Sequence, residues 1–297
     1  MPARERRMSE NVCAGDSYDV EFSGGHKFRL YDRPGTFRVS RAGLALGDHL
    51  VGHLREHELG GRILDAGTGS GVIALLLRSM GATSIAATDI CAAAVATARQ
   101  NESENFGDSI VDFTHCDLFP GEETDSAPYD LIVFNPPGWR APPGLLETEL
   151  GEKFRSLNLD AMFYGDRVLL RFLQLLPEHL AENGRAIVGL NSLVGIADII
   201  RRARAAHRSN NGPALHSQLL DRFEFPLMFY TDEWQEARAS LVREFERGRE
   251  EYAAHYVTRD DTIHWFYEIT EMSVTPLPVP GGLPPLAGVA AHERTAG

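Results

Sequence analysis

Between residues 62 and 207 short apolar runs alternate with longer stretches whose apolar positions recur at helical spacing. The runs at 62–65, 84–89, 110–115, 129–134 and 185–190 predict strands. The stretches at 71–80, 91–105, 159–183 and 196–207 predict helices. Such alternation is the mark of an α/β chain with a doubly wound parallel sheet. Two more strands are predicted at 218–225 and 262–271. Between them, 232–254 reads as a charged helix, too polar all round for a core element: either a cover over a substrate pocket or a solvated edge helix. Upstream, 26–31 and 36–39 predict a hairpin turning at Asp32-Arg33-Pro34-Gly35, and 44–59 an amphipathic helix.

These elements divide the chain into four parts. Residues 1–25 are polar and Gly-rich and read as loose. Residues 26–60 form an N-terminal extension over a main domain at 61–272. In 273–297 seven prolines and glycines from Pro276 to Pro285 prevent pairing, so this tail is expected to be disordered.

Composition narrows the partners. A hydrophobic content of 43% supports a sizeable core, and a net charge of −13 opposes a phosphate backbone, so nucleic acid is disfavoured. Cys13, Cys91 and Cys116 are too scattered for a disulfide framework or a zinc cluster. No leader-like segment and no apolar run of about 18 residues occurs, which predicts a cytoplasmic protein with no membrane partner. His53-Leu54-Arg55-Glu56-His57 has the spacing of a zinc-peptidase helix but no clear third ligand, and no metal is expected.

The chemistry is carried by two strand ends. Asp65-Ala66-Gly67-Thr68-Gly69-Ser70-Gly71 joins the strand at 62–65 to the helix at 71–80. Glycines are needed there where backbone lies close to a ligand or takes positive φ, and the helix start adds oriented N–H groups. Asp89, ending the next strand, is placed to accept both hydroxyls of a ribose. Position 72 is Val where a dinucleotide fingerprint wants glycine. The chain also has only two lysines, Lys27 and Lys153, so the Tyr–Lys pair of a nicotinamide oxidoreductase lacks support.

The second strand end is Asn135-Pro136-Pro137-Gly138, directly after Leu131-Ile132-Val133-Phe134. Amide and exocyclic amine nitrogens are poor nucleophiles because their lone pair is delocalised. The Asn135 side-chain oxygen and the Pro136 carbonyl can each accept one N–H of an –NH2 group and so aim its third direction. Such positioning supplies ~7–11 kcal/mol.

Together the two motifs resemble the class I S-adenosylmethionine-dependent methyltransferases of the Asn-Pro-Pro-aromatic amino-methyltransferase type. Within these the chain is most similar, over roughly 37–190, to the release-factor and ribosomal-protein glutamine methyltransferases. The resemblance implies a Rossmann-like seven-stranded sheet with a helical insertion before the last strand, and S-adenosylmethionine as cofactor. It implies that Gly67, Thr68, Gly69 and Gly71 cradle the cofactor, with Asp65 toward its ammonium end and Asp89 and Ile90 at the ribose. Asp117 and Leu118 would lie at the adenine, and Asn135 would face both cofactor and acceptor. Ser40-Arg41 corresponds to that group's Pro-Arg position, and Tyr164-Gly165-Asp166 to its Gly-Gly-x-x-Gly segment.

One departure stands out. The family's stacking aromatic is replaced by Gly138, with Trp139 next. Either Trp139 takes over the stacking, with Arg41 and Pro137 also lining the acceptor, or Gly138 makes room for a bulkier group. This atypical loop points to N-methylation of a small amino-acid-like molecule, with protein glutamine and then rRNA as alternatives. Oligomeric state is not legible.

Overall fold

The computed structural model describes residues 17–33, 36–121, 127–140, 162–228 and 232–275. A central eight-stranded sheet is built from β3 (Ile63–Ala66), β4 (Ile85–Asp89), β5 (Asp112–His115), β6 (Tyr129–Phe134), β7 (Leu180–Asn191), β8 (Ala214–Pro226), β9 (Tyr256–Arg259) and β10 (Thr262–Thr275). Seven strands run in the order β5-β4-β3-β6-β7-β10-β8, and β9 pairs only with β10. Strands β3 to β7 are parallel, whereas β10 runs antiparallel to both its neighbours. This is the expected α/β sheet with one added edge strand, β9. The chain works outward from β3 to β5 and then returns to β6. The order therefore reverses between β3 and β6, where doubly wound sheets bind ligands outside the carboxyl ends of their strands.

Helices α3 (Val72–Ser79), α4 (Ala92–Phe106), α5 (Gly165–His179) and α6 (Ile196–Ser209) connect the strands, and α7 (Asp232–Tyr252) is inserted before β9 and β10. Six consecutive residues of α3, Val72 to Leu77, are buried, which explains why that helix is apolar all round. One apolar cluster joins α1 (Arg41–His53), α3 and the N-terminal hairpin to one sheet face, and a second packs α5 and α6 on the other. A third lies beneath α7, where Leu241 and Phe245 pack with Trp139 and Phe163. The charged insertion thus has one apolar stripe, and Arg247 pairs with Glu244 and Glu251 along the helix.

Three expected elements shift. The hairpin pairs β1 (Ser17–Glu21) with β2 (Lys27–Tyr31), so residues 17–25, expected to be loose, are ordered. Its turn sits at Gly24 and Gly25, both at positive φ; the strand expected at 36–39 does not form, and Pro34 and Gly35 lie outside the described residues. The helix expected at 44–59 runs from Arg41 to His53, capped by Ser40, whose hydroxyl accepts the Gly43 N–H at 3.1 Å. A separate turn, α2 (Glu56–Leu59), follows. Residues 1–16 and 276–297 lie outside the described residues, although 273–275 of the expected tail belong to β10. Among the described residues no helix is long and apolar enough to cross a membrane.

Candidate active site

Strand β3 delivers the chain into a tight turn in which Gly67, Gly69 and Gly71 have φ of 64°, 56° and 83°. The turn is fixed by the Thr68 N–H donating to the Thr88 carbonyl at 2.8 Å and the Gly71 N–H to the Thr68 carbonyl at 2.9 Å. Two of these glycines serve different purposes. A Cβ on Gly71 would lie 2.9 Å from Ala98 Cβ, so that glycine lets α4 approach. A Cβ on Gly69 would meet nothing within 4 Å, so its backbone borders open space.

Asp65 is buried beneath this turn. Its Oδ2 accepts the Thr68 hydroxyl at 2.6 Å and the Ala74 N–H at 3.1 Å, capping a helix whose N-cap residue, Gly71, has no side chain to do so. Burial pushes this carboxyl up to about 7, against the opposing pull of its two donors. Asp89, at the tip of β4, accepts the Gly69 N–H on Oδ2 and the Cys91 N–H on Oδ1. Ile90 beside it is 67% exposed, a flat apolar surface at the rim of the turn.

At the tip of β5, Asp117 is exposed and paired with Arg171 of α5. Leu118 departs from expectation. Its side chain is buried in the second core cluster and its carbonyl takes the Thr88 hydroxyl at 2.6 Å, so the side chain packs the core rather than a ligand. The hairpin is tied to this end of the sheet. Asn101 accepts the Tyr31 N–H and donates to the Ser70 carbonyl, both at 2.8 Å.

Ala66 pairs in register with Phe134, so Gly67 and Asn135 leave neighbouring strands side by side. Asn135 to Gly138 are half-buried. The Asn135 Oδ1 accepts the Tyr267 hydroxyl at 2.8 Å, and Nδ2 lies toward Gly43 in the first turn of α1. Arg41 opens the same turn, exposed. The loop beyond Asn135 is held from both sides. The Trp139 N–H donates to the Met162 carbonyl at 2.9 Å and the Gly165 N–H to the Trp139 carbonyl at 2.8 Å. Gly165 starts α5 so close to Pro137 that a Cβ there would lie 2.0 Å from the Pro137 oxygen.

Both expectations for Gly138 and Trp139 are corrected. A Cβ on Gly138 would come within 2.5 Å of Asn191 Nδ2, so the glycine accommodates β7 rather than a bulkier acceptor. Trp139 is buried, edge-on to Phe163 and Phe245 at 5.2 and 5.5 Å, and anchors α7. The antiparallel strands bring Tyr267 to Asn135, and Trp265, half-buried, stands 6.2 Å from Tyr267 and 5.5 Å from Phe225. Sequence reasoning missed Tyr267 and Trp265. Their alternation with Ile263 and Ile269 marks one strand face, but nothing local links them to a loop 132 residues away.

A separate cavity of about 410 Å³ lies at the far end of α1, between His49, His53, His57 and Arg185. His53 and His57 belong to two different helices, so the continuous helix the zinc-like spacing required is broken. Among the described residues no group of three His, Cys, Asp or Glu is arranged to hold a metal.

The methyltransferase small domain model matches residues 27–141. A Methanocaldococcus jannaschii protein named as a protein N5-glutamine methyltransferase is 32% identical over 145 residues, 48% of this chain and 68% of that protein. The release factor glutamine methyltransferase of Bacteroides thetaiotaomicron is 36% identical over 133 residues, covering 43% of each. This chain therefore spans less than half the length of that relative. Among solved structures, a methyltransferase complexed with S-adenosylhomocysteine aligns over 89% of this chain and 58% of its own, with a TM-score of 0.52 and 12% identity, which speaks to the fold. Relatives matched by this chain include proteins named for a polypeptide substrate, a release factor or a ribosomal protein. That overturns the small amino-acid-like acceptor expected from the atypical loop, whose glycine and tryptophan are explained by packing.

Proposed function

This chain belongs to the S-adenosylmethionine-dependent methyltransferases of the Asn-Pro-Pro type, and from that premise we propose that it methylates the side-chain amide nitrogen of a polypeptide glutamine. The observation that carries the reading is the in-register pairing of Ala66 with Phe134, which sets the glycine turn and Asn135 side by side at one sheet edge. The residues present fit the cofactor. Gly69 borders open space, the Asp89 oxygens keep lone pairs beyond their two backbone donors, and Ile90 offers an apolar face. Gly67, Gly69, Asp89 and Ile90 would hold the nucleoside, Asp65 would favour the ammonium end, and Asp117 stands at the rim.

When bound, S-adenosylmethionine would supply an electrophilic methyl: the acceptor nitrogen's lone pair forms the N–C bond, the C–S pair stays on sulfur, and the nitrogen then loses one proton to solvent. Asn135 Oδ1 and the Pro136 carbonyl accept the two N–H groups and turn the lone pair toward the methyl. No strong base is needed before transfer, since alkylation itself makes the N–H acidic. Arg41 and Pro137 border the acceptor's approach. A net charge of −13 favours encounter with a basic polypeptide such as a ribosomal protein.

The test is incubation with S-adenosylmethionine and either a release factor or a ribosomal-protein fraction, followed by peptide mass spectrometry. One added methyl on a glutamine is expected. Asn135→Ala should lose the product while keeping its affinity for S-adenosylhomocysteine. Methylation at a lysine or carboxylate, or undiminished turnover by Asn135→Ala, would overturn the proposal.

A further inference from the structure

We infer that Tyr267 is a positioning residue that sets which end of the Asn135 amide faces the acceptor; this rests on the acceptor-holding role proposed for Asn135. The two ends of an asparagine amide are nearly isosteric, and half a turn about its last torsion exchanges a hydrogen-bond acceptor for a donor. Only the oxygen end can take an N–H from an incoming –NH2 group. With the nitrogen end in its place, two donors would face each other.

The structure contains what selects the sense. Tyr267 lies on β10 opposite Asn191 of β7, buried, and its hydroxyl reaches across the sheet edge to Asn135 Oδ1 at 2.8 Å. That is the hydroxyl's only hydrogen bond among the described residues. Turning the amide over would let the phenol oxygen accept from Nδ2, but would strand its proton in the core, which is costly for a buried donor. Burial also raises the phenol above its usual range, so it stays protonated and able to donate at any physiological pH. Tyr267 takes one lone pair of Oδ1 and leaves the other for the acceptor.

A second observation shows that this placement is built in. Gly189 lies on β7, and a Cβ there would stand 1.8 Å from the Tyr267 hydroxyl and 2.5 Å from its ring carbon. A glycine inside a strand marks a close approach of this kind. With any side chain at 189 the phenol could not occupy its present position. Asn135, Tyr267 and Gly189 thus form one unit drawn from β6, β10 and β7. The paired aromatics Phe225 and Trp265 continue the same face beyond it.

The test uses Tyr267→Phe, which deletes only the hydroxyl, and Gly189→Ala, which keeps the hydroxyl but displaces it. In the full chain the Asn135 side-chain amide resonances are assigned by their loss in Asn135→Ala. Both variants should shift or double those resonances while S-adenosylhomocysteine affinity stays within about two-fold. Turnover of a glutamine substrate should fall about 3- to 10-fold, the size of one neutral hydrogen bond, with a smaller change in KM for the cofactor. Unmoved amide resonances in Tyr267→Phe would overturn the inference whatever the acceptor proves to be. If the wild-type protein methylates no glutamine while the resonances do move, the acceptor assignment fails and the role of Tyr267 stands.

Discussion

Asp89 Oδ2 accepts the Gly69 N–H at 2.9 Å, so the carboxylate that ends β4 also fixes the glycine turn that follows β3. Under the proposed function, the group that fixes this turn would also offer its remaining lone pairs to ribose hydroxyls. Asp89→Ala should weaken S-adenosylhomocysteine binding by roughly 10- to 100-fold, corresponding to about 1.5–3 kcal/mol for hydrogen bonds to a charged group. Isothermal calorimetry measures this directly. Unchanged affinity would place the nucleoside elsewhere.

Asp65 gives the site a pH dependence of known sign. Its carboxyl is raised from 3.8 to about 7 by burial, so between these values the folded protein holds a proton that the unfolded chain has released. Stability from this group is therefore greatest in acid and declines as pH rises toward neutrality. Asp65→Asn keeps an oxygen for Thr68 and Ala74 but cannot ionise. Its melting temperature relative to wild type should climb from about pH 4 to about pH 7 and level off above that. A cationic cofactor end near Asp65 favours the ionised form, so wild-type affinity should rise across that window and that of Asp65→Asn should not. Parallel melting curves for the two proteins would refute the assigned titration.

The sheet was legible because its signal is local. Runs such as Leu131 to Phe134 and the turn from Gly67 to Gly71 announce a strand end within a few residues, and the register of β3 on β6 then follows from the fold class. The hairpin was misplaced because Asp32-Arg33-Pro34-Gly35 looks like a stronger turn than Ser23-Gly24-Gly25. What favours the latter is tertiary, including the Tyr31 and Arg29 N–H groups bonded to Asn101 and Asn105 of α4. Helix α7 was misjudged because its apolar stripe is narrow and its partner, Trp139, is distant in sequence. The sequence suggests acceptor stacking for Trp139 because it closely follows Asn135, the residue proposed to hold the acceptor. A local rule could not see that the chain turns inward between them.

Trp139→Ala tests that correction. The side chain touches Phe163 and Phe245 in the cluster under α7, and its loss should cost about 3–5 kcal/mol of stability, as for other large buried aromatics. Trp139→Phe should recover much of that. A residue stacking on the acceptor would instead raise its KM at unchanged stability, and that outcome in a chemical denaturation and kinetics pair would return Trp139 to the site.

Two glycines allow the halves of the site to be separated. Gly165 faces two backbone carbonyls, with an added Cβ 2.0 Å from the Pro137 oxygen, 2.9 Å from its carbonyl carbon and 3.2 Å from the Trp139 oxygen. Backbone cannot yield as a flexible side chain does, so Gly165→Ala must push the start of α5 away from the Asn135–Trp139 loop. Displacing a reacting group by an ångström costs turnover on the order of 10²-fold, with cofactor affinity nearly intact. Gly69→Ala is the reciprocal case. Its Cβ has open space but its φ of 56° disfavours any side chain, and the new methyl would enter the cofactor cradle. Here affinity should fall first, while turnover at saturating cofactor changes less. If both variants move the same parameter, the cofactor cradle and the acceptor loop are not the independent units that their separate supports, Asp89 for one and Gly165 with Met162 for the other, make them.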